Sequence, residues 1–115
     1  MGGSVGREIL MQGNELAAYL MEQFEILDGV TCRPMMGGYI FYYKQKIFGG
    51  IYAPGLMVKI TKASKKYLQQ AEILPPYQGA KDMMLVDEVD HRELLCSMVQ
   101  EMAEELPLPK TKKEK

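Results

Sequence analysis

The stretch Val30–Ile60 reads V-T-C-R-P-M-M-G-G-Y-I-F-Y-Y-K-Q-K-I-F-G-G-I-Y-A-P-G-L-M-V-K-I, and its turn residues divide it into four extended segments. Val30 to Met36 is the first; Pro34 within it has no N–H for a ladder, which places the strand at a sheet edge or at a bulge. Gly37-Gly38 turns the chain into a second segment, Tyr39–Lys44. There Tyr39, Phe41 and Tyr43 alternate with Ile40, Tyr42 and Lys44, so both faces are largely apolar or aromatic. Gln45, between two lysines, marks a hairpin that lacks the favoured Asn-Gly or Asp-Gly. The third segment, Ile47–Ala53, has Gly49-Gly50 in its middle, a pair that predicts a bulge or the close approach of another backbone. Pro54-Gly55 turns into the fourth, Leu56–Ile60. Turns this short join antiparallel neighbours.

Helices flank these strands. Leu16, Leu20, Phe24 and Leu27 recur at helical spacing, with Asn14 as a candidate N-cap and Asp28-Gly29 as the stop. Thr61 can cap a second helix from Lys62 to about Glu72, with Lys62, Lys65 and Lys66 outward and Ala63, Tyr67 and Leu68 inward. Leu74–Gly79 is a loop on proline and glycine grounds, and Met83–Val86 reads as a fifth strand. Asp90 and Glu93 have the spacing of a capping box, opening a helix with Leu94, Leu95, Met98, Met102 and Leu106 inward that Pro107 stops. The order is α-β-β-β-β-α-β-α. It predicts an α+β two-layer sandwich, a mainly antiparallel five-stranded sheet with helices on one face. One domain over residues 14–107 is expected, between a flexible segment, 1–13, and a lysine-rich tail, 108–115. Three helices cover one face of such a sheet, so its other face is expected to meet solvent or a partner.

The 115 residues suit a single core, and an apolar share of 47% with 25% charged residues is that of an ordinary globular domain. Lysine and arginine number 14 against 15 acidic residues, so the chain lacks the broad positive field of a general nucleic-acid coat. No apolar run is long enough to span a bilayer, and no membrane partner is expected. Two cysteines without C-x-x-C, Cys32 and Cys96, suit a reduced, cytoplasmic protein.

No catalytic set emerges. Ser4, Ser64 and Ser97 lie outside any G-x-S-x-G, and the glycine pairs match no phosphate-binding spacing. Met35-Met36 and Met83-Met84 lack the repeated spacing of a thioether copper site, so neither a metal nor a cofactor is expected. What remains is a surface. Arg33, Met35, Tyr39, Tyr42, Phe48, Tyr52, Lys59, Tyr77 and Lys81 are the candidates to meet a partner or ligand, because tyrosine, methionine and arginine are enriched at interfaces. A sheet arginine ordinarily pairs with a carboxylate, here Asp28, Asp87 or Glu88; unpaired, Arg33 becomes an anchor for an anion or a partner's carboxylate. Lys62, Lys65 and Lys66 form a candidate basic patch, whose plainer reading is the solvated side of a helix.

Several words of the sequence, in this order and spacing, resemble the TfoX N-terminal domain family: D-G-V-T-C-R-P-M-M-G-G-Y-I-F-Y-Y, K-I-F-G-G-I-Y, L-M-V-K, P-P-Y-Q-G-A-K, M-L-V-D-E-V and the closing E-E-L-P. The likeness spans Leu16 to about Lys113 and looks like the short, stand-alone branch of that family. It departs at Gln45, where a glycine would be expected. The resemblance implies a two-layer α/β fold and a non-enzymatic regulatory or protein-interaction role related to competence regulators. The partner would be an unidentified protein or a second copy. Competence regulators carry a second domain that does not follow in this sequence. Two alternatives are a transcriptional regulator that contacts nucleic acid through Lys59, Lys62, Lys65 and Lys66, and a small-ligand domain walled by Arg33, Tyr39, Lys59 and Tyr77.

Overall fold

In the computed structural model, which describes residues 13–35 and 37–108, the turn residues divide the chain much as their chemistry demands. Helix α1, Gly13–Gln23, continues into a 3-10 turn, Phe24–Ile26, and Gly29 at φ 108° redirects the chain into strand β1, Val30–Met35. Then come β2, Gly38–Tyr43; β3, Lys46–Tyr52; and β4, Gly55–Val58. Helix α2, Lys62–Tyr67, leads to the two-residue β5, Ile73–Leu74, then β6, Met83–Leu85, and α3, Arg92–Ala103. The six strands form one sheet in the order β1-β2-β3-β4-β6-β5, with every neighbouring pair antiparallel. The α+β sandwich is therefore the architecture, with a sixth strand beyond the five expected. The tail lysines, Met36 and residues 1–12 lie outside the described residues.

The core sits between the sheet and helices α1 and α3. Leu20 from α1 and Leu95, Met98, Val99 and Met102 from α3 are fully buried against Phe41, Phe48, Leu56 and Val58. Phe24 joins the two layers: its ring centroid lies 6.1 Å from Phe41 and 5.4 Å from Phe48, which themselves stand 6.0 Å apart. These separations suit tilted and edge-on aromatic contacts. Phe48 reaches this cluster through a bulge. Phe41 pairs with Gly49 and Tyr42 with Ile47, so Phe48 is the extra residue, and both Phe48 and Ile51, three positions apart, face the core. The bulge expected from the glycine pair is present.

Four local expectations are corrected. Asn14 lies inside α1 rather than capping it, since Gly13 is already helical. Helix α2 stops at Tyr67, well short of Glu72. The chain is needed elsewhere: the Glu72 carbonyl accepts the Leu85 N–H at 2.9 Å and Ile73 pairs with Met84, which a continuing helix would prevent. The Asp90–Glu93 capping box is absent because His91 is the N-cap, which makes Glu93 the second helical residue, while the Asp90 carboxylate accepts the Tyr19 hydroxyl. A capping box does form one helix earlier: the Thr61 hydroxyl accepts the Ser64 N–H at 3.0 Å, and the Thr61 N–H donates to the Ser64 hydroxyl at 2.7 Å. Finally, Phe48 is 1% exposed and belongs to the core, not to any partner surface.

Candidate interaction surface

Side chains alternate across a sheet, so the register decides which residues share the face away from the helices. One row across it reads Arg33, Ile40, Gly50, Met57 and Leu85, and a second reads Thr31, Tyr42 and Ile47. The face is divided into two halves. On the β3–β4–β6 half, Met57 lies between the core residues Leu56 and Val58 and so points away from the helices, yet it has no exposed surface. The Tyr52 ring lies over Gly50, the cross-strand neighbour of Met57; a Cβ placed on Gly50 would stand 3.1 Å from the Tyr52 hydroxyl. Tyr77, brought back by the loop after Leu74, packs against Tyr52 with centroids 6.2 Å apart and the rings tilted by 47°, and Pro76 beside it is buried. Burial, and then the charge of Tyr77, raise the Tyr52 phenol above its ordinary pKa.

Among the described residues the β1–β2 half has no such cover. Thr31, Arg33 and Met35 are exposed, Met35 by 57%, while Ile40, Tyr42 and Ile47 are half-buried. Arg33 makes no side-chain hydrogen bond or ion pair among the described residues, so the expected pairing with Asp28, Asp87 or Glu88 does not occur. The strand sequences VTCRPM, GYIFYY, KIFGGIY, GLMV, IL and MML contain no aspartate or glutamate. A guanidinium therefore stands among methyl groups and rings with no carboxylate anywhere in the sheet.

The sequence candidates thus separate. Arg33, Met35 and Tyr42 share the bare half, joined by Ile40 and Ile47, which residue type alone did not single out and which the register supplies. Tyr52 and Tyr77 form the cover of the other half, with Tyr77 still 64% exposed, and Lys81 is exposed on the same loop. Tyr39 packs from the helix side against the core, opposite to Arg33. The walls proposed for a small-ligand pocket, Arg33, Tyr39, Lys59 and Tyr77, share none of three clefts among the described residues, of 490, 550 and 440 Å³, each of which holds at most one of them. Lys59 is half-buried just after β4.

Of the basic patch, Lys62 and Lys65 are exposed, but Lys66 is bound to Glu101 at 2.6 Å. The other Glu101 oxygen accepts the Tyr67 hydroxyl at 2.5 Å. Glu105 accepts the Lys62 and Ala63 N–H groups at 2.9 and 3.0 Å, so carboxylates from α3 and the turn after it stand among these lysines. Among the described residues no three histidine, cysteine, aspartate or glutamate side chains gather as a metal cluster, and no helix is long and apolar enough to cross a membrane. Cys32 and Cys96 are free thiols, each with its pKa raised by burial, and Cys96 donates to the Gln23 carbonyl at 3.3 Å.

The profile of the TfoX N-terminal domain matches residues 22–104, which include every strand and α3. The chain belongs to the TfoX N-terminal domain family. A relative is an uncharacterized 12.7 kDa protein in the trpE 5′ region of Spirochaeta aurantia, 30% identical over 100 residues that cover 86% of this chain and 87% of that protein. No solved structure matches. The matched span of this TfoX N-terminal domain holds the whole bare half, Thr31 to Ile47, together with the Tyr52–Tyr77 cover.

Proposed function

We propose that the chain is a small, non-enzymatic regulatory domain of the cytoplasm that docks a protein partner on the β1–β2 half of its sheet. The observation that carries this reading is Arg33: an exposed guanidinium set among Met35, Ile40, Tyr42 and Ile47, without a counter-charge in any strand. Arginine, tyrosine and methionine are the residues that concentrate at interface centres, and a planar guanidinium is suited to take a carboxylate with two hydrogen bonds. Direct contact with nucleic acid through Lys59, Lys62, Lys65 and Lys66 is less favoured, because Glu101 already binds Lys66 and Glu105 sits beside Lys62.

Site-directed photocrosslinking in cells tests the reading. A photoreactive phenylalanine at Met35 should give discrete protein adducts, whereas one at Gln100, exposed on α3, should not. Adducts at Met35 should disappear with Arg33→Ala or Tyr42→Ala while the circular dichroism spectrum is unchanged. Equal labelling at the two positions, or none at Met35, overturns the reading.

A further inference from the structure

The proposed surface ends in an open edge. Among the described residues, strand β1 closes the sheet on one side and pairs only with β2, over all six of its residues, whereas the opposite edge, β5, has two. An edge strand presents unpaired N–H and C=O groups, and proteins ordinarily blunt long ones with lysines, prolines or bulges. Here the devices are Pro34 and the charge of Arg33 beside it. On an antiparallel edge strand alternate residues point their backbone groups outward, here Val30, Cys32 and Pro34. Pro34 has no N–H to offer an incoming strand, which leaves Val30 and Cys32 as the donors of the edge.

We infer that the partner segment is an extended stretch carrying a carboxylate between apolar residues, which adds to β1 as a further strand and places that carboxylate opposite Arg33. This rests on the interaction reading above and names the chemistry of its partner. Directly opposed residues on neighbouring strands bring their Cβ atoms to roughly 4.5–5.5 Å, within reach of a guanidinium–carboxylate pair. The residues two positions to either side then lie beside Thr31 and Met35, which suits aliphatic or aromatic side chains. Those pointing to the helix side meet Val30, nearly buried, and Cys32, half-buried, so they must be small or apolar.

A second copy of the chain fits this role less well. Pairing β1 with β1 in the antiparallel register centred on Arg33 would bring two guanidinium groups to the same joint, and none of the six described strands carries an aspartate or glutamate to separate them. Like charges at a shared joint oppose association. A second copy offers Arg33 acidic residues only from outside its strands, Asp28 being the nearest to β1, so a different protein is the inferred source of the counter-charge.

Panning a phage-displayed library of short random peptides on the whole chain, followed by titration of the enriched peptides, tests this. The expected peptides carry aspartate or glutamate with apolar residues two positions away. Their affinity should fall about tenfold or more with Arg33→Ala, and panning on Arg33→Glu should enrich lysine or arginine instead. On binding, the Val30 and Cys32 amides should become protected from hydrogen exchange, and Tyr42→Ala should keep that protection pattern at weaker affinity. Peptides without an acidic residue that still depend on Met35 and Tyr42 would overturn the inference while leaving the surface reading in place. Peptides that map elsewhere, or no enriched peptide at all, would remove both. A dimer of the chain dispersed by changes in β1, or displacement of the peptide by oligothymidylate, would replace the acidic segment with a second copy or with phosphate.

Discussion

Gly49 shows how a single hydrogen atom in place of a side chain holds the sheet together. It shares the bulge with Phe48, and a Cβ there would stand 2.2 Å from the Met57 carbonyl oxygen and 2.9 Å from the Val58 Cα, both backbone atoms of the adjacent strand. Neither can yield without parting β3 from β4. Gly49→Ala should therefore destabilise the fold by about 2–3 kcal/mol in urea unfolding, the scale of forced overpacking; a loss below about 0.5 kcal/mol would show that the strands separate readily. The opposite sign is expected at the hairpin tip. Lys44 and Gln45 have φ of 54° and 69°, a conformation that costs an ordinary L residue roughly 1–2 kcal/mol. The greater freedom of glycine in the unfolded chain returns roughly 0.5–1 kcal/mol of that. Gln45→Gly should thus stabilise by about 0.5–1 kcal/mol and raise the thermal midpoint by about 2–5 °C. An unchanged or lower midpoint in calorimetry would contradict it. The absence of Asn-Gly at this hairpin is visible in the sequence as a departure, but its consequence, two strained residues in succession, needs the φ angles.

At the scale of elements, proline, glycine and alternation made β1 to β4 legible, and the spacing of Leu94 to Leu106 made α3 legible. What escaped was set by partners distant in the chain. β5 is two residues long, too short for any periodicity, and exists because Met83 and Met84 lie alongside. Asp90 has the chemistry of a cap, but Tyr19, 71 positions away, occupies its carboxylate. The link between α2 and α3 is likewise invisible in one dimension: Glu101 takes Lys66 and Tyr67, and Glu105 binds the first N–H groups of α2, where a negative charge also meets the positive end of the helix. The hydrogen bond from Lys66, and then that from Tyr67, lower the Glu101 pKa below its ordinary 4.5. A carboxylate with a lowered folded value stabilises the fold above its unfolded pKa and ceases to as pH falls through the folded one. Thermal midpoints measured from pH 6 downward should thus decline below about pH 4.5 in the native chain, and less steeply in Glu101→Gln. Parallel curves for the two proteins would mean that the contact contributes nothing in solution, as many exposed ion pairs do not.

For the whole molecule, the decisive division is between rings that hold the layers together and rings left for another task, and residue type alone does not make it. Tyr39, Tyr42, Phe48 and Tyr52 look alike along the strands. The bulge sends Phe48 inward to Phe24 and Phe41, the loop after Leu74 brings Tyr77 over Tyr52, and Tyr39 faces the helices; Tyr42 is left beside Arg33. These placements make opposite demands on stability and binding. Phe48→Ala empties a site in contact with both layers and should cost about 3–5 kcal/mol. Arg33→Ala removes an exposed side chain with no partner among the described residues and should change unfolding free energy by less than about 0.5 kcal/mol. Tyr42→Ala, half-buried, should cost about 1 kcal/mol. If Arg33 is held for a partner, its removal costs nothing in the isolated chain and shows itself only when the partner is present. Urea titrations of the three variants alone, set beside photocrosslinking at Met35, separate the two demands. A loss of several kcal/mol in Arg33→Ala would make this guanidinium a structural group, and the bare half of the sheet would lose its claim to a binding role.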